Sequence, residues 1–253
     1  MPNFPPLRRH VFSVVDRWIR SRGLEAPFLE VGCGTGELAS HLSAGGWRGV
    51  ALDSSPSAVA RARVVLAGNP RVELVEGDLG RIPARDFRTV FLMDVIEHVS
   101  EDSALLRELA GRLVPGGFLV MLTPVNPGEW GPDDEVYGHF HRYAWEEVGE
   151  KLAAAGFTVV ERRNVTVPFI WLLRRIYLKV LPRRIAGGPM DRLTAASSYF
   201  NPWDESPVLR VAGAVLGLPL WWAPLFWIQD RFAGSKRGHA AMFLARKNGG
   251  EGK

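Results

Sequence analysis

The chain has 253 residues, 47% of them apolar and 23% charged, with 27 Gly and 18 Pro, which excludes wholesale disorder, a collagen-like repeat and a polytopic membrane protein. The net charge of +4 conceals a division: residues 1–161 carry 16 Lys and Arg against 22 Asp and Glu, whereas residues 162–253 carry 15 against 5. The single Cys, Cys33, excludes an internal disulfide and a cysteine-rich zinc module, and no signal-peptide core follows the basic pair near the amino terminus, so a cytoplasmic protein is expected.

In chain order, Val11, Val14, Val15, Trp18 and Ile19 recur at helical spacing and predict a helix over 7–22. The pattern then alternates strand, turn and helix, the rhythm of an α/β fold. Residues 27–31 form a short apolar run that enters Gly32-Cys33-Gly34-Thr35-Gly36, and a helix over 38–42 follows. A second strand over 49–52 stops at Asp53, and Ser55-Pro56 caps a helix over 58–66. Strands are expected over 72–75, running into Gly77-Asp78, and over 89–93, ending at Asp94. A helix over 103–113 leads through Pro115-Gly116-Gly117 to a fifth strand over 118–122. A loop rich in Pro, Gly and acids covers 123–143, followed by a helix over 145–155 and a sixth strand over 157–161. The apolar run 240–245 is expected to return to the sheet edge as a seventh strand, leaving about seventy residues before it as an insertion.

Ligands of open parallel sheets bind beyond the carboxyl ends of the strands. The residues there are Glu30, Gly32, Gly34, Gly36, Asp53, Asp78 and Asp94. Glycines two apart between strand and helix permit a tight turn and close ligand approach, and an acid ending strand two suits a ribose diol. One such acid is usually turn chemistry; four at successive strand ends point to a site.

These residues resemble class I S-adenosylmethionine-dependent methyltransferases, which have a doubly wound, seven-stranded Rossmann-like sheet. The resemblance rests on Glu30 to Gly36, Asp53, Gly77-Asp78, Asp94-Val95-Ile96-Glu97-His98-Val99 and Leu113-Val114-Pro115-Gly116-Gly117. It implies that S-adenosylmethionine (SAM) is the cofactor, with the 32–36 loop on its methionyl part, Asp53 on the ribose hydroxyls, Asp78 at the adenine amino group and Leu79 beside the ring. Glu30 and Asp94 would orient the aminoacyl end. A NAD(P)-dependent oxidoreductase is the rival, because Gly34 to Ala39 also satisfies G-x-G-x-x-[GA] with Asp53 about twenty residues on. None of the four tyrosines has a Lys four residues later, so the catalytic pair of short-chain dehydrogenases is missing.

An activated methyl needs an aligned nucleophile and one base. His139 and His141 lie where the family's acceptor pocket opens and are the candidate catalytic residues. Asp94, Glu97 and His98 offer a second chemistry, since ubiquinone-pathway O-methyltransferases are similar here and use such a run for a divalent cation; a structural Glu-His pair is the preferred reading, so no metal is expected.

The domain reading is a SAM-binding core over 1–163, a helical insertion over 164–239, and a final strand with tail over 240–253. The insertion holds five of the nine Trp. A basic helix over 169–181 suits a membrane surface or the domain's own sheet, and 211–228 lacks charge for eighteen residues but is interrupted by Pro219 and Pro224. It is expected to be a lid, a membrane contact on the inner face, or a homodimer surface. The expected partner is a small lipophilic acceptor, beside an anionic membrane surface in one version, and not a nucleic acid, because the Trp residues sit inside apolar runs. The function expected is methyl transfer to oxygen; a membrane-associated protein that binds SAM without turnover is the non-enzymatic alternative.

Overall fold

The computed structural model describes residues 6–82, 86–180 and 219–249. Seven strands form one sheet: β1 (Phe28–Val31), β2 (Gly49–Asp53), β3 (Val72–Glu76), β4 (Phe87–Met93), β5 (Leu113–Pro124), β6 (Phe157–Asn164) and β7 (Ala240–Lys247), in the order β3-β2-β1-β4-β5-β7-β6. β1 to β5 run parallel, and β7 is antiparallel to both β5 and β6. The order reverses at β1, which lies between β2 and β4, so the loops after β1 and β4 meet at the switch point.

Helices cover both faces. α1 (Pro6–Arg22), α2 (Glu37–Ala44) and α3 (Pro56–Val65) pack on one; α4 (Asp102–Arg112) and α6 (Trp145–Ala154) pack on the other. On the first face, Val14, Val15, Trp18 and Leu42 meet Phe28, Ala51, Phe91 and Val120; on the second, Leu106, Leu109, Val148 and Leu152 meet Leu29, Val90, Leu119 and Phe243. Central strands buried on both sides explain the unbroken apolar runs of the sequence. The Ser55 hydroxyl accepts Ala58 N–H at 3.4 Å with Pro56 in the first turn of α3, the cap expected there.

Two expectations are corrected. β7 does not return to the sheet edge but inserts between β5 and β6, leaving β6 as the edge. All six residues Ala240 to Ala245 are buried, the signature of a central strand, whereas exposed positions alternate along β6. The loop over 123–143 also holds structure: a 3-10 turn (Pro127–Glu129) and helix α5 (Pro132–Tyr137).

Of the insertion, two helices are described, α7 (Phe169–Val180) and α8 (Pro219–Asp230), the second with Pro224 inside it. Residues 181–218, including Trp203 and the first part of the charge-free segment, lie outside the described residues. No described helix is long and apolar enough to cross a membrane.

Candidate functional site

The residues expected to bind the cofactor stand at or near the carboxyl ends of β1 to β4. Gly32 has φ +70°, and a Cβ there would stand 2.4 Å from Val95 Cγ2. Gly34 has φ +54° with open space where a Cβ would go, so the backbone forms a cradle. Gly36 is the N-cap of α2, whose first turn has no side-chain cap. Asp53 holds this turn in place: its Oδ2 accepts Gly34 N–H at 2.7 Å and its Oδ1 accepts Ser55 N–H at 2.8 Å. Glu30 is buried, and its Oε2 has no hydrogen-bond partner. Burial pushes its carboxyl up to about 8, against partial opposition from the Ala39 backbone and the Arg8 charge.

Asp78 is exposed and caps the turn Leu79–Arg81, its Oδ1 accepting Gly80 N–H at 2.9 Å; Leu79 is buried in the core. Asp94 is exposed, with φ 54°. A left-handed backbone at a non-glycine residue costs free energy and is concentrated where function requires it.

The candidate catalytic residues lie in the loop after β5. The structure sends the two candidate histidines in different directions. His141 lies at the surface, its Nε2 2.9 Å from Glu147 Oε1 on α6. His139 is nearly buried, with Nδ1 2.7 Å from Asp134 Oδ1. Asp134 is fully buried. Burial opposes its ionisation, but hydrogen bonds from His139, Arg142 and Gly131 and the Arg142 charge hold the carboxyl down at about 2. A carboxylate only accepts, so His139 carries a proton on Nδ1, and in the neutral ring the Nε2 lone pair is free.

His139 faces Glu97 and His98 rather than Asp94 alone. The ring of His98 lies edge-on to His139 at 4.9 Å, and its Nδ1 donates to Gly138 O at 3.2 Å. One ligand atom each of Glu97, His98 and His139 lies within 4.8 Å of the others. Glu97 is buried, with Oε1 unpartnered. Burial and the Asp94 charge push its carboxyl well up. Of the run Asp94, Glu97 and His98, the last two lie in a 3-10 turn (Ile96–His98), and His139 rather than Asp94 completes the cluster. Two imidazoles with Nδ1–H bonded to a carboxylate and a carbonyl, plus a free carboxyl oxygen, can hold a divalent cation.

Three residues of this site carry no local signal in the sequence. Asp134 is one of four acids among residues 129–135. Arg142, 4% exposed, donates to Asp134 Oδ1 at 2.8 Å and to the carbonyls of Val125 and His239. Arg8 on α1 pairs with Glu37, and its charge acts on Glu30, Asp94 and Tyr137, placing the start of α1 by the cleft.

The described parts of the insertion pack on the core. On α7, buried Arg174 pairs with Glu129 and Asp133, the more exposed Arg175 pairs with Glu129, and Trp171 Nε1 donates to Glu129 at 3.0 Å. Leu172, Leu173 and Ile176 are left exposed. α8 packs on α1 through His10 and Phe226, with ring centroids 4.8 Å apart, and through Arg17 and Asp230. Trp222 is buried, whereas Trp227 is exposed under the Arg231 guanidinium.

Comparison with known proteins shows what this arrangement resembles. A family model described as a methyltransferase domain matches residues 29–121. A Mycobacterium tuberculosis protein named "probable S-adenosylmethionine-dependent methyltransferase" is 31% identical over 211 residues, 81% of this chain and 72% of that protein. A ubiquinone biosynthesis O-methyltransferase of Xanthomonas euvesicatoria is 37% identical over 103 residues, 39% of this chain and 43% of its own. The N-methyltransferase NodS of Bradyrhizobium japonicum, crystallised with S-adenosyl-L-homocysteine, superposes with a TM-score of 0.52 at 22% identity, covering 63% of this chain and 80% of that one; at this identity the likeness is one of fold.

Proposed function

The chain belongs to the S-adenosylmethionine-dependent methyltransferases, and from that premise we propose that it methylates an oxygen of a small apolar or lipid-like acceptor, with His139 as the general base. Family membership makes SAM the cofactor and removes the nicotinamide reading. Two features suit SAM: the open cradle at Gly34 and the unpartnered buried oxygen of Glu30, a place for a cationic group. We assign Gly32, Gly34 and Gly36 to the methionyl part, Asp53 to the ribose, Asp78 and Leu79 to the adenine, and Glu30 and Asp94 to the aminoacyl end.

When bound, SAM supplies an electrophilic methyl group; the protein must align a nucleophile, exclude water and take up a proton. The observation that carries the base assignment is the buried pair of His139 with ionised Asp134, which fixes the ring with Nε2 free to accept a proton from a hydroxyl. His141, exposed and engaged with Glu147, has no such arrangement. The lipophilic acceptor is supported by Phe140 and Trp130, which are 57% and 43% exposed on the same loop as His139. The oxygen is supported by the partial likeness to an O-methyltransferase. A membrane surface carrying the acceptor is a finer version, for which the exposed Leu172, Leu173 and Ile176 speak; the pairing of Arg174 and Arg175 with acids of the chain itself speaks against it.

A second reading has the Glu97, His98 and His139 cluster holding a cation that polarises the acceptor oxygen. The deciding experiment incubates the protein with deuteromethyl SAM and a panel of alkylcatechols, prenylated phenols and matched anilines. Label on oxygen of the alkylated members is expected. Label on nitrogen alone, or on short polar members alone, overturns the proposal.

A further inference from the structure

We propose that Arg174 of α7 is a positioning residue for His139, so that the segment following β6 is part of the methyl-transfer machinery rather than an appendage. The proposal rests on the reading of His139 as the reacting imidazole, but its test does not depend on that reading.

The Arg174 guanidinium is buried and grips one short stretch of chain. Its Nε and Nη2 donate to the two oxygens of Asp133, each at 2.7 Å, a bidentate pairing. Nη2 also donates to Glu129 O at 3.0 Å and approaches Asp134 Oδ2 at 3.4 Å. Asp134 is the residue that bonds His139 Nδ1. A path of three residues therefore runs from α7 through α5 to the imidazole. Space is reserved for it: a Cβ at Gly131 would stand 2.8 Å from Asp133 Oδ1 and 3.1 Å from Arg174 Nη2.

Of the donors on Asp134, Arg142 Nε and Gly131 N–H come from the same loop, and Arg142 also donates to His239 O just before β7. Arg174 is the donor on Asp134 that comes from outside the loop, and with Trp171 and Arg175, which both bond Glu129 Oε1, it ties the loop to α7. The bidentate fork supplies direction, which a lone charge would not. With the fork gone, α5 and Asp134 gain freedom, and His139 loses the constraint that keeps its proton on Nδ1 and its ring beside His98.

The test is ¹⁵N NMR of the full chain with labelled histidine, the His139 signals assigned by their loss in His139→Asn. Neutral His139 in the wild type is expected to show the Nδ1–H tautomer. Arg174→Met and Asp133→Asn break the same contact from its two ends, so failure of one to fold leaves the other. Both are expected to populate the Nε2–H tautomer and to lower turnover of an alkylcatechol probe about tenfold, with SAM affinity held within about twofold. An unchanged tautomer in the folded variants overturns the proposal, whatever happens to the melting temperature. If the tautomer shifts but His139→Asn turns over normally, the positioning stands and the base assignment falls.

Discussion

The Asp53 carboxylate, at the end of β2, accepts the backbone N–H of Gly34 at 2.7 Å in the turn after β1. This acid holds the glycine cradle in shape, and a carboxylate has further lone pairs, which the proposed ribose contact would use. Asp53→Ala is expected to weaken SAM by about 1.5–3 kcal/mol, from the loss of charge-assisted hydrogen bonds. Titration calorimetry checks it. Unchanged SAM affinity would remove Asp53 from the cofactor site.

The two histidines of the acceptor loop are separated by their partners. His139→Asn is expected to lower kcat about a hundredfold with SAM affinity nearly unchanged, while His141→Asn, which loses an exposed pair with Glu147, stays within about threefold. Equal effects of the two substitutions would deny His139 its special role.

If a cation sits between Glu97, His98 and His139, dialysis against a chelator abolishes turnover and an added divalent ion restores it. Under the base reading the chelated enzyme keeps its full rate. Glu97→Gln, isosteric with the neutral acid that burial favours, is then expected to cost little, whereas a metal ligand would not tolerate it.

The assignment of Glu30 to the aminoacyl end predicts that SAM binding depends on pH. Its carboxyl is pushed up to about 8, so near neutrality it is mostly protonated before the cofactor arrives. A cationic aminoacyl group favours the ionised form, so binding releases a proton. Affinity should therefore rise with pH up to about 8 and level off above it. Calorimetry in buffers of different ionisation enthalpy counts the proton. Glu30→Gln should abolish both the slope and the proton release; a slope that persists in this variant belongs to another group.

The cofactor half was legible because each part is local: a glycine turn after an apolar run, then an acid at each strand end. Of the residues grouped around Asp134, His139 alone is a candidate that the sequence offers. The value of Asp134 comes from Arg142 and from Arg174, forty residues downstream, and a cluster of acids among Pro and Gly looks the same as a solvated turn. The place of β7 was written in the sequence but points to the interior: six consecutive apolar residues need cover on both faces, and the alternating exposure along β6 marks the edge. A basic helix over 169–181 suits anionic lipid by composition, and only the fold shows the acids that Arg174 and Arg175 meet.

His10 sets a pH limit on stability that is separate from catalysis. It lies between α1 and α8, 1% exposed, with neither ring nitrogen hydrogen-bonded. Burial, joined by the Arg163 and Arg17 charges and opposed by Asp230, lowers its pKa from 6.5 to about 4. A depressed folded pKa means that the unfolded chain takes up the proton first as pH falls. The neutral His10 therefore imposes no penalty above pH 6.5, and stability is lost progressively between about 6.5 and 4, by on the order of 3 kcal/mol. His239 is depressed by burial and by Arg174 and Arg142 and acts in the same direction, so the difference between variant and wild type isolates His10. His10→Leu removes two unsatisfied nitrogens and should be near neutral at pH 7, because an unpaired buried polar group contributes no bond to lose. Its advantage over the wild type in urea unfolding should then grow as the pH is lowered. If the two proteins lose stability in parallel from pH 7 to pH 4, His10 is already charged in the fold or paired with Asp230, and the acid sensitivity lies elsewhere.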